Sequence, residues 1–313
     1  MRGMPVDLYR DILFEINNFK GSARECNLCL CTKFPEVPNL TLGSIYSLEY
    51  QRRMKRNHSR IASSADKYYD KFQEAVNRGD EPGVILRMAQ SIDISPALLA
   101  RMILEQHYER LAPEVAVSVS KSLISRKMKD TTLIEDRDVA YEVYLVSSCI
   151  RYTYRPMYSD CQNVFVFFQS TLNDDQYGPL ADVGKHSLGQ EYELKLQRIA
   201  KDLKLAFRGE EHLRLKGYDK TPDIKLDIPI AVDGFIINWI ESKALFGDEE
   251  GHRGYLKDQY LSYWNRFGTG LVIYWLGFLE TLDQMNEKKI IVMSDFPSNI
   301  TQMDPQCIKP PQL

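Results

Sequence analysis

Residues 216–249 read KGYDKTPDIKLDIPIAVDGFIINWIESKALFGDE, and this stretch decides the fold. DIKLDIPIAV (223–232) alternates apolar and polar residues, as a strand does. Asp233-Gly234 is a hairpin-turn signal. FIINWIESKA (235–244) is apolar on both faces, which predicts a central strand. That strand ends on Glu241 and Lys243. Buried charges are costly unless they are paired or hold a metal. The side-chain period of two puts Glu241 and Lys243 on one face and Ser242 on the other. A regular ladder closed at Asp233-Gly234 sets Asp223 opposite Ala244. A bulge at Pro229, which cannot donate to a ladder, would slide Asp223 toward Glu241.

Working outward, SLGQEYELKLQRIAKDL (187–203) predicts an amphipathic helix with Leu188, Tyr192, Leu196, Ile199 and Leu203 on one face. GYLKDQYLSYWNRFG (254–268) predicts a second helix, and GLVIYWLGF (270–278) and KIIVMSDF (289–296) two further strands. The expectation is an α/β domain over 172–300, a mixed sheet with helices on each side. Residues 301–313 read as a loose tail.

Residues 1–145 read as helical. VDLYRDILFEINNF has helical apolar spacing, and DKYYDKFQEAVNRG is a helix closed by Gly79. In PGVILRMAQSIDISPALLARMILEQHYER a helix breaks at Ser91–Ser95, and a second opens at Pro96 with Ser95 as N-cap. Helix, tight turn, helix is the helix-turn-helix pattern, whose second helix enters the major groove in DNA readers. Here that helix carries no basic stripe, and packing is an equal reading. Arg52, Arg53, Lys55 and Arg56 are the better phosphate-contact candidates. Residues 146–171, VSSCIRYTYRPMYSDCQNVFVFFQST, are apolar without period, which is unexpected inside a compact domain.

The chain has 313 residues, 44% of them hydrophobic and 27% charged, with net charge −3. The overall balance gives no support for nucleic-acid binding, so any such role rests on local patches. No signal peptide or span of membrane length is visible, which points to cytoplasm or nucleus. Six cysteines in this length argue against a disulfide scaffold. Cys26, Cys29 and Cys31 lack a second Cys/His pair at finger spacing and read as helix cysteines. His186, His212 and His252 are too scattered to suggest a histidine metal site.

The carboxylates suit phosphodiester hydrolysis. A hard divalent cation takes oxygen ligands, polarises phosphate and lowers the pKa of bound water. A lysine beside it neutralises developing charge. Asp223, Glu241 and Lys243 supply that set, with Mg²⁺ or Mn²⁺ as the expected cofactor. The arrangement Pro222-Asp223 … Glu241-x-Lys243 resembles the PD-(D/E)xK nuclease superfamily. Glu191 on the preceding helix is the candidate additional acid and metal ligand, with Glu193 as an equal rival. Gln259 and Tyr263 resemble the glutamine and tyrosine motif of the RecB-like branch. Lys220 and Tyr263 join the candidate nucleic-acid contacts. Each has a structural reading too: an ion pair at a strand end, a turn cap, solvated helix faces.

LRLKGYDKTPDIKLDIPIAVDGFIINWIESKALFGDE with YLKDQYLSYWNRFGTGLVIYWLGF closely resembles the codanin-interacting nuclease family of animals. SLEYQRRMKRNH, YYDKF and SPALLARMILEQ extend the resemblance into the N-terminal half. It implies a restriction-endonuclease-like domain behind a helical region with helix-turn-helix elements. It also implies a codanin-like partner, DNA as a candidate ligand, a nuclear and cytoplasmic setting, and a role linked to chromatin and erythroid differentiation. Asp223, Glu241 and Lys243 match the family's site. Relatives pass almost directly from the equivalent of Leu145 to that of Asn173, so 146–171 is an atypical insertion, read as a retained intron. The alternative to a nuclease is a catalytically silent adaptor that uses the same fold to bind codanin.

Overall fold

The computed structural model describes residues 3–21, 23–111, 121–147, 176–285 and 289–303. The chain is mixed α/β, as expected: helices dominate its N-terminal half, and a mixed sheet flanked by helices forms the C-terminal part. It divides into two compact units. One comprises residues 1–18, 30–45 and 186–313, the other 19–29 and 46–185.

The sheet of the first unit has six strands: β1 (Phe207–Gly209), β2 (Ile224–Val232), β3 (Phe235–Lys243), β4 (Gly270–Tyr274), β5 (Ile290–Met293) and β6 (Ile300–Gln302). The order is β1-β2-β3-β4-β5, with β6 on the second half of β2. β1, β3 and β6 pair with β2 antiparallel, while β3-β4 and β4-β5 are parallel. β6 includes Thr301 and Gln302, so the stretch read as tail begins inside the sheet. Residues 304–313 lie outside the described residues.

The hairpin between β2 and β3 turns on Asp233 and Gly234 at φ 47° and 84°. Positive φ at both turn positions matches the right-handed twist of the strands. Val232 faces Phe235 and Ile230 faces Ile237, but Lys225 then faces Trp239 and Ile224 faces Ile240. Leu226–Pro229 on β2 therefore oppose Asn238 alone on β3. This bulge contains Pro229, and it carries Asp223 to the level of Glu241 instead of Ala244.

Side chains on the two sheet faces bury separate clusters. Ile224, Leu226, Ile240, Leu271 and Ile273 pack with Leu196 and Ala200 of α9 (Pro179–Asp202). Trp239, Val272 and Tyr274 pack with Tyr260 and Tyr263. These belong to a helical run formed by α11 (Glu249–Tyr255), a π-helical turn (Leu256–Tyr260) and α12 (Leu261–Phe267). α10 (Glu210–Leu215) follows β1, and α13 (Leu282–Met285) lies between β4 and β5.

The same unit incorporates the N-terminus. Met4 forms a β-bridge with Leu279. In α1 (Val6–Asn18) Tyr9 stacks on Phe246, with ring centroids 5.6 Å apart. The Tyr9 hydroxyl donates to Asp248 Oδ2 at 3.1 Å. Thr41 donates to the Leu276 carbonyl at 2.8 Å.

Helix α2 (Ala23–Lys33) carries Cys26, Cys29 and Cys31 as free thiols, and α3 spans Asn39–Ala62. The second unit is built from α4 (Ala65–Asn77), α5 (Val84–Ile92), α6 (Pro96–Leu111), α7 (Lys121–Lys129) and α8 (Arg137–Ser147). Gly79 has φ 74° just past α4, as expected of its stop. α6 contacts α4, α5, α7 and α8. It buries Ala97, Leu99, Ala100, Met102, Ile103, Leu104 and His107, and no residue from Pro96 to Tyr108 is fully exposed. Leu98, Arg101, Glu105 and Tyr108 of α6 are half-buried, and Glu109 and Arg110 are exposed. Gly83 starts α5 without a side chain, and Glu142 of α8 accepts from the amides of Gly83 (2.8 Å) and Ile85 (3.2 Å) in its place. Of the atypical insertion, Val146 and Ser147 end α8, and residues 148–171 lie outside the described residues.

Candidate active site

The bulge fixes the centre of the site. With Lys225 opposite Trp239 and Ile224 opposite Ile240, Asp223 falls beside Glu241. Its backbone N–H donates to Glu241 Oε2 at 3.4 Å, and its carboxylate Oδ2 accepts the Ser242 N–H at 2.7 Å. Lys243 Nζ donates to Glu241 Oε1 at 2.8 Å and to Gln259 Oε1 at 3.2 Å. The structure thus joins Asp223, Glu241, Lys243 and Gln259 in one network on one sheet face.

The π-helical turn explains how Gln259 arrives there. One widened turn lets Tyr255, Gln259, Tyr260 and Tyr263 all address the sheet. The Lys243 ammonium stands 4.7 Å from the Tyr255 ring centroid and 6.0 Å from that of Tyr260. Aromatic faces attract a cation, and here they wall it toward Glu241.

Burial sets the electrostatics. Glu241 is buried and Asp223 half-buried. Burial raises the Asp223 carboxyl well above its ordinary range, and the Glu241 charge raises it further, against the Ser242 amide and Lys243. Burial also raises Glu241, against its ion pair with Lys243. Burial pulls Lys243 down, but Glu241 and Asp223 outweigh it, so the lysine ends above its usual value and stays charged. Two carboxylates pressed together in this way gain from any cation that joins them.

The donors open to a hard cation are the Asp223 and Glu241 oxygens and a backbone carbonyl. A residue's N–H and C=O leave an extended strand on the same edge. The Ser242 carbonyl therefore leaves β3 on the side where its amide meets Asp223. Among the described residues no three His, Cys, Asp or Glu side chains form a ready-made cage. Mg²⁺ does not require one, since it is held by one or two carboxylates with waters and substrate phosphate completing the shell.

The other candidates are placed less simply. Both Glu191 and Glu193 are exposed on α9. The one whose charge reaches Asp223 is Glu193, although its side chain stays exposed. Glu191 lies on a different face of the helix. Tyr263 is buried, and its hydroxyl donates to the Thr221 carbonyl at 2.8 Å. It supports the turn before Asp223. Lys220 is exposed and its ammonium donates to the Asp258 carbonyl at 2.5 Å. Arg266, absent from the sequence reading, donates to the Lys220 carbonyl and to Asp219, each at 3.0 Å.

Glu210 was also missed. It accepts from Thr221 Oγ1 at 3.2 Å and from Arg214 at 2.6 Å, and its charge adds to that facing Glu241. A cleft of about 340 Å³ opens here, lined by Glu210, Arg214, Lys220, Thr221, Gln259 and Tyr263 among others.

The basic cluster Arg52, Arg53, Lys55 and Arg56 lies in the helical unit. Arg56 pairs with Glu49 at 3.2 Å, and Arg53 approaches Asp93 at 3.7 Å and the Tyr50 ring at 5.3 Å. Arg52 is half-buried, and Lys55 is exposed. Much of the cluster's charge is thus answered within the chain. No described helix is long and apolar enough to cross a membrane.

Residues 161–296 match a family described as a protein of unknown function with a TPD sequence motif. This chain carries that tripeptide at Thr221-Pro222-Asp223. Its turn is the one held by Tyr263 and Glu210. The chain is 40% identical over 297 residues to CDAN1-interacting nuclease 1 of Xenopus laevis, covering 94% of this chain and 89% of the relative. The human protein of that name is 41% identical over 276 residues, 87% of this chain and 88% of the relative. That of Danio rerio is 41% identical over 298 residues, 94% and 90% respectively. No solved structure matches. At this identity, over nearly the whole of both chains, the protein belongs to the CDAN1-interacting nuclease 1 family.

Proposed function

We propose that the chain is a divalent-cation-dependent nuclease of the PD-(D/E)xK type that hydrolyses phosphodiester bonds in DNA. The observation that carries this reading is the joining of Asp223, Glu241 and Lys243 in one network, with both carboxyls raised by burial. Asp223, Glu241 and the Ser242 carbonyl would hold Mg²⁺ or Mn²⁺, and Glu193 and Glu210 are the further acids whose charge reaches the pair. When bound, the ion supplies Lewis acidity at the phosphoryl oxygen and a more acidic water. Lys243, kept charged by its two carboxylates, donates to the oxygen that gathers negative charge as water adds to phosphorus and the P–O bond to the leaving sugar breaks. Gln259 and the Tyr255 face hold that ammonium in place.

Relatives are named both as nucleases and as CDAN1-interacting. On that support we place a codanin-like partner beside the activity; the nuclear and cytoplasmic setting and the link to chromatin and erythroid differentiation rest on the family resemblance alone. A second reading, the silent adaptor, is favoured by the pairing already complete within the chain: Lys243 on Glu241 and the Ser242 amide on Asp223. Incubation with single-stranded, duplex, flap and four-way-junction DNA in Mn²⁺ separates the two. Fragments from at least one substrate support the nuclease. Intact DNA throughout, with codanin binding retained by Asp223→Asn, supports the adaptor.

A further inference from the structure

Ser242 is the residue between the two charged side chains, and its own side chain points to the opposite sheet face. There the Trp275 indole Nε1–H donates to Ser242 Oγ at 2.8 Å, a bond buried on both sides. Trp275 directly follows β4, and its backbone N–H donates to the Lys243 carbonyl at 3.0 Å. One residue thus holds two successive units of Glu241-Ser242-Lys243, one through its backbone and one through its ring. The Ser242 N–H, on the far side of the same residue, is the group that binds Asp223 Oδ2 at 2.7 Å.

The ring is itself immobilised. Tyr192 of α9 stacks on Trp275 at 5.3 Å between centroids, inclined by 25°. The Lys195 ammonium lies 4.1 Å from the Trp275 ring centroid. A buried indole N–H needs a partner, and here the partner is the side chain of the same residue whose backbone N–H meets Asp223.

We propose that Trp275 is a positioning residue for the site. By anchoring Ser242 from behind the sheet, it fixes the amide that orients Asp223 and the carbonyl that faces the same cation position. The cation part of this inference rests on the nuclease reading, whereas the anchoring part does not. Groups that orient the ligands of a metal typically change its affinity by about 10- to 100-fold when removed.

The test uses the full-length chain with two variants that cut the same bond from opposite ends. Trp275→Phe keeps the ring stacked on Tyr192 but removes the donor. Ser242→Ala removes the acceptor and keeps the backbone amide. In the metal-free protein, hydrogen exchange of the Ser242 amide is expected to quicken by about tenfold or more in both, while the Val272 amide on neighbouring β4 keeps its wild-type rate. Mn²⁺ titrated calorimetrically is expected to bind about 10- to 100-fold more weakly to either variant, and no more weakly to the double variant. Wild-type exchange at Ser242 in the two variants overturns the inference. So does wild-type Mn²⁺ affinity alongside accelerated exchange. A wild-type chain that binds no Mn²⁺ defeats the nuclease reading, and the exchange rates then decide the anchoring alone.

Discussion

Glu241 and Lys243 form an ion pair at 2.8 Å in which the carboxylate side chain is 5% exposed and the lysine 15%. Removing one partner of such a pair leaves the other buried and charged, at a cost of about 3–5 kcal/mol. Glu241 has a partial escape, because burial already raises its carboxyl and a proton can replace the lysine. Lys243→Ala is therefore expected to lower thermal stability markedly at pH 8 and much less at pH 5. Saturating Mn²⁺ should restore most of the loss, while hydrolysis stays down by about 100-fold or more. Melting curves at the two pH values, with and without Mn²⁺, check this. A loss equal at both and untouched by Mn²⁺ would make the pair purely structural.

Asp223 and Glu241 also set the pH dependence of the metal-free chain. Both carboxyls have folded pKa values above their unfolded ones. The folded state then holds its protons more tightly, so this contribution to stability is full below the ordinary carboxylate range of about 4. It is lost as pH rises through the raised folded values. Asp223→Asn removes one charge of the pair and still offers an oxygen to the Ser242 amide. It is expected to raise the melting temperature in EDTA at pH 7–8 and to flatten the fall with pH. Parallel pH curves for wild type and variant would contradict the proposed repulsion.

The N-terminal helix is predicted to be required by the sheet unit. Tyr9 reaches Asp248, which caps α11 by accepting the Gly251 amide at 2.9 Å, and α11 leads into the turn that carries Gln259. Tyr9→Phe leaves a buried carboxylate oxygen without that donor and is expected to cost about 1–3 kcal/mol. Chemical denaturation measures it. A fragment of residues 186–303 that folds as stably as the whole chain would show that residues 1–18 and 30–45 are dispensable.

The strand–turn–strand core was legible because its signals are local: period-two alternation, a two-residue turn, and a proline that cannot join a ladder. Pro229 marked where the ladder could slip, but the size of the shift, four residues of β2 against Asn238 alone, was not legible in the sequence. β1 and β6, each three residues long, carry too little pattern to stand out and exist through pairing with β2. The choice between Glu191 and Glu193 depends on which side of α9 meets the sheet, and the Tyr192–Trp275 stack that shows this side exists only in three dimensions. The incorporation of Met4, Tyr9 and Thr41 into the sheet unit rests on contacts more than 200 residues away in sequence. The burial of α6 did leave a trace: Ala97, Leu99, Ala100, Met102, Ile103 and Leu104 spread over more than half of the helix circumference, and Arg101 and Glu105 occupy the remaining arc.

The most direct test of the account is metal-dependent cleavage by wild type, Asp223→Asn and Glu241→Gln, each first shown to be folded. The account predicts DNA fragments from wild type in Mn²⁺ and none in EDTA, with both variants slowed by about 100-fold or more. A wild-type chain that leaves every DNA substrate intact in Mn²⁺, or variants that cleave at its rate, would contradict it.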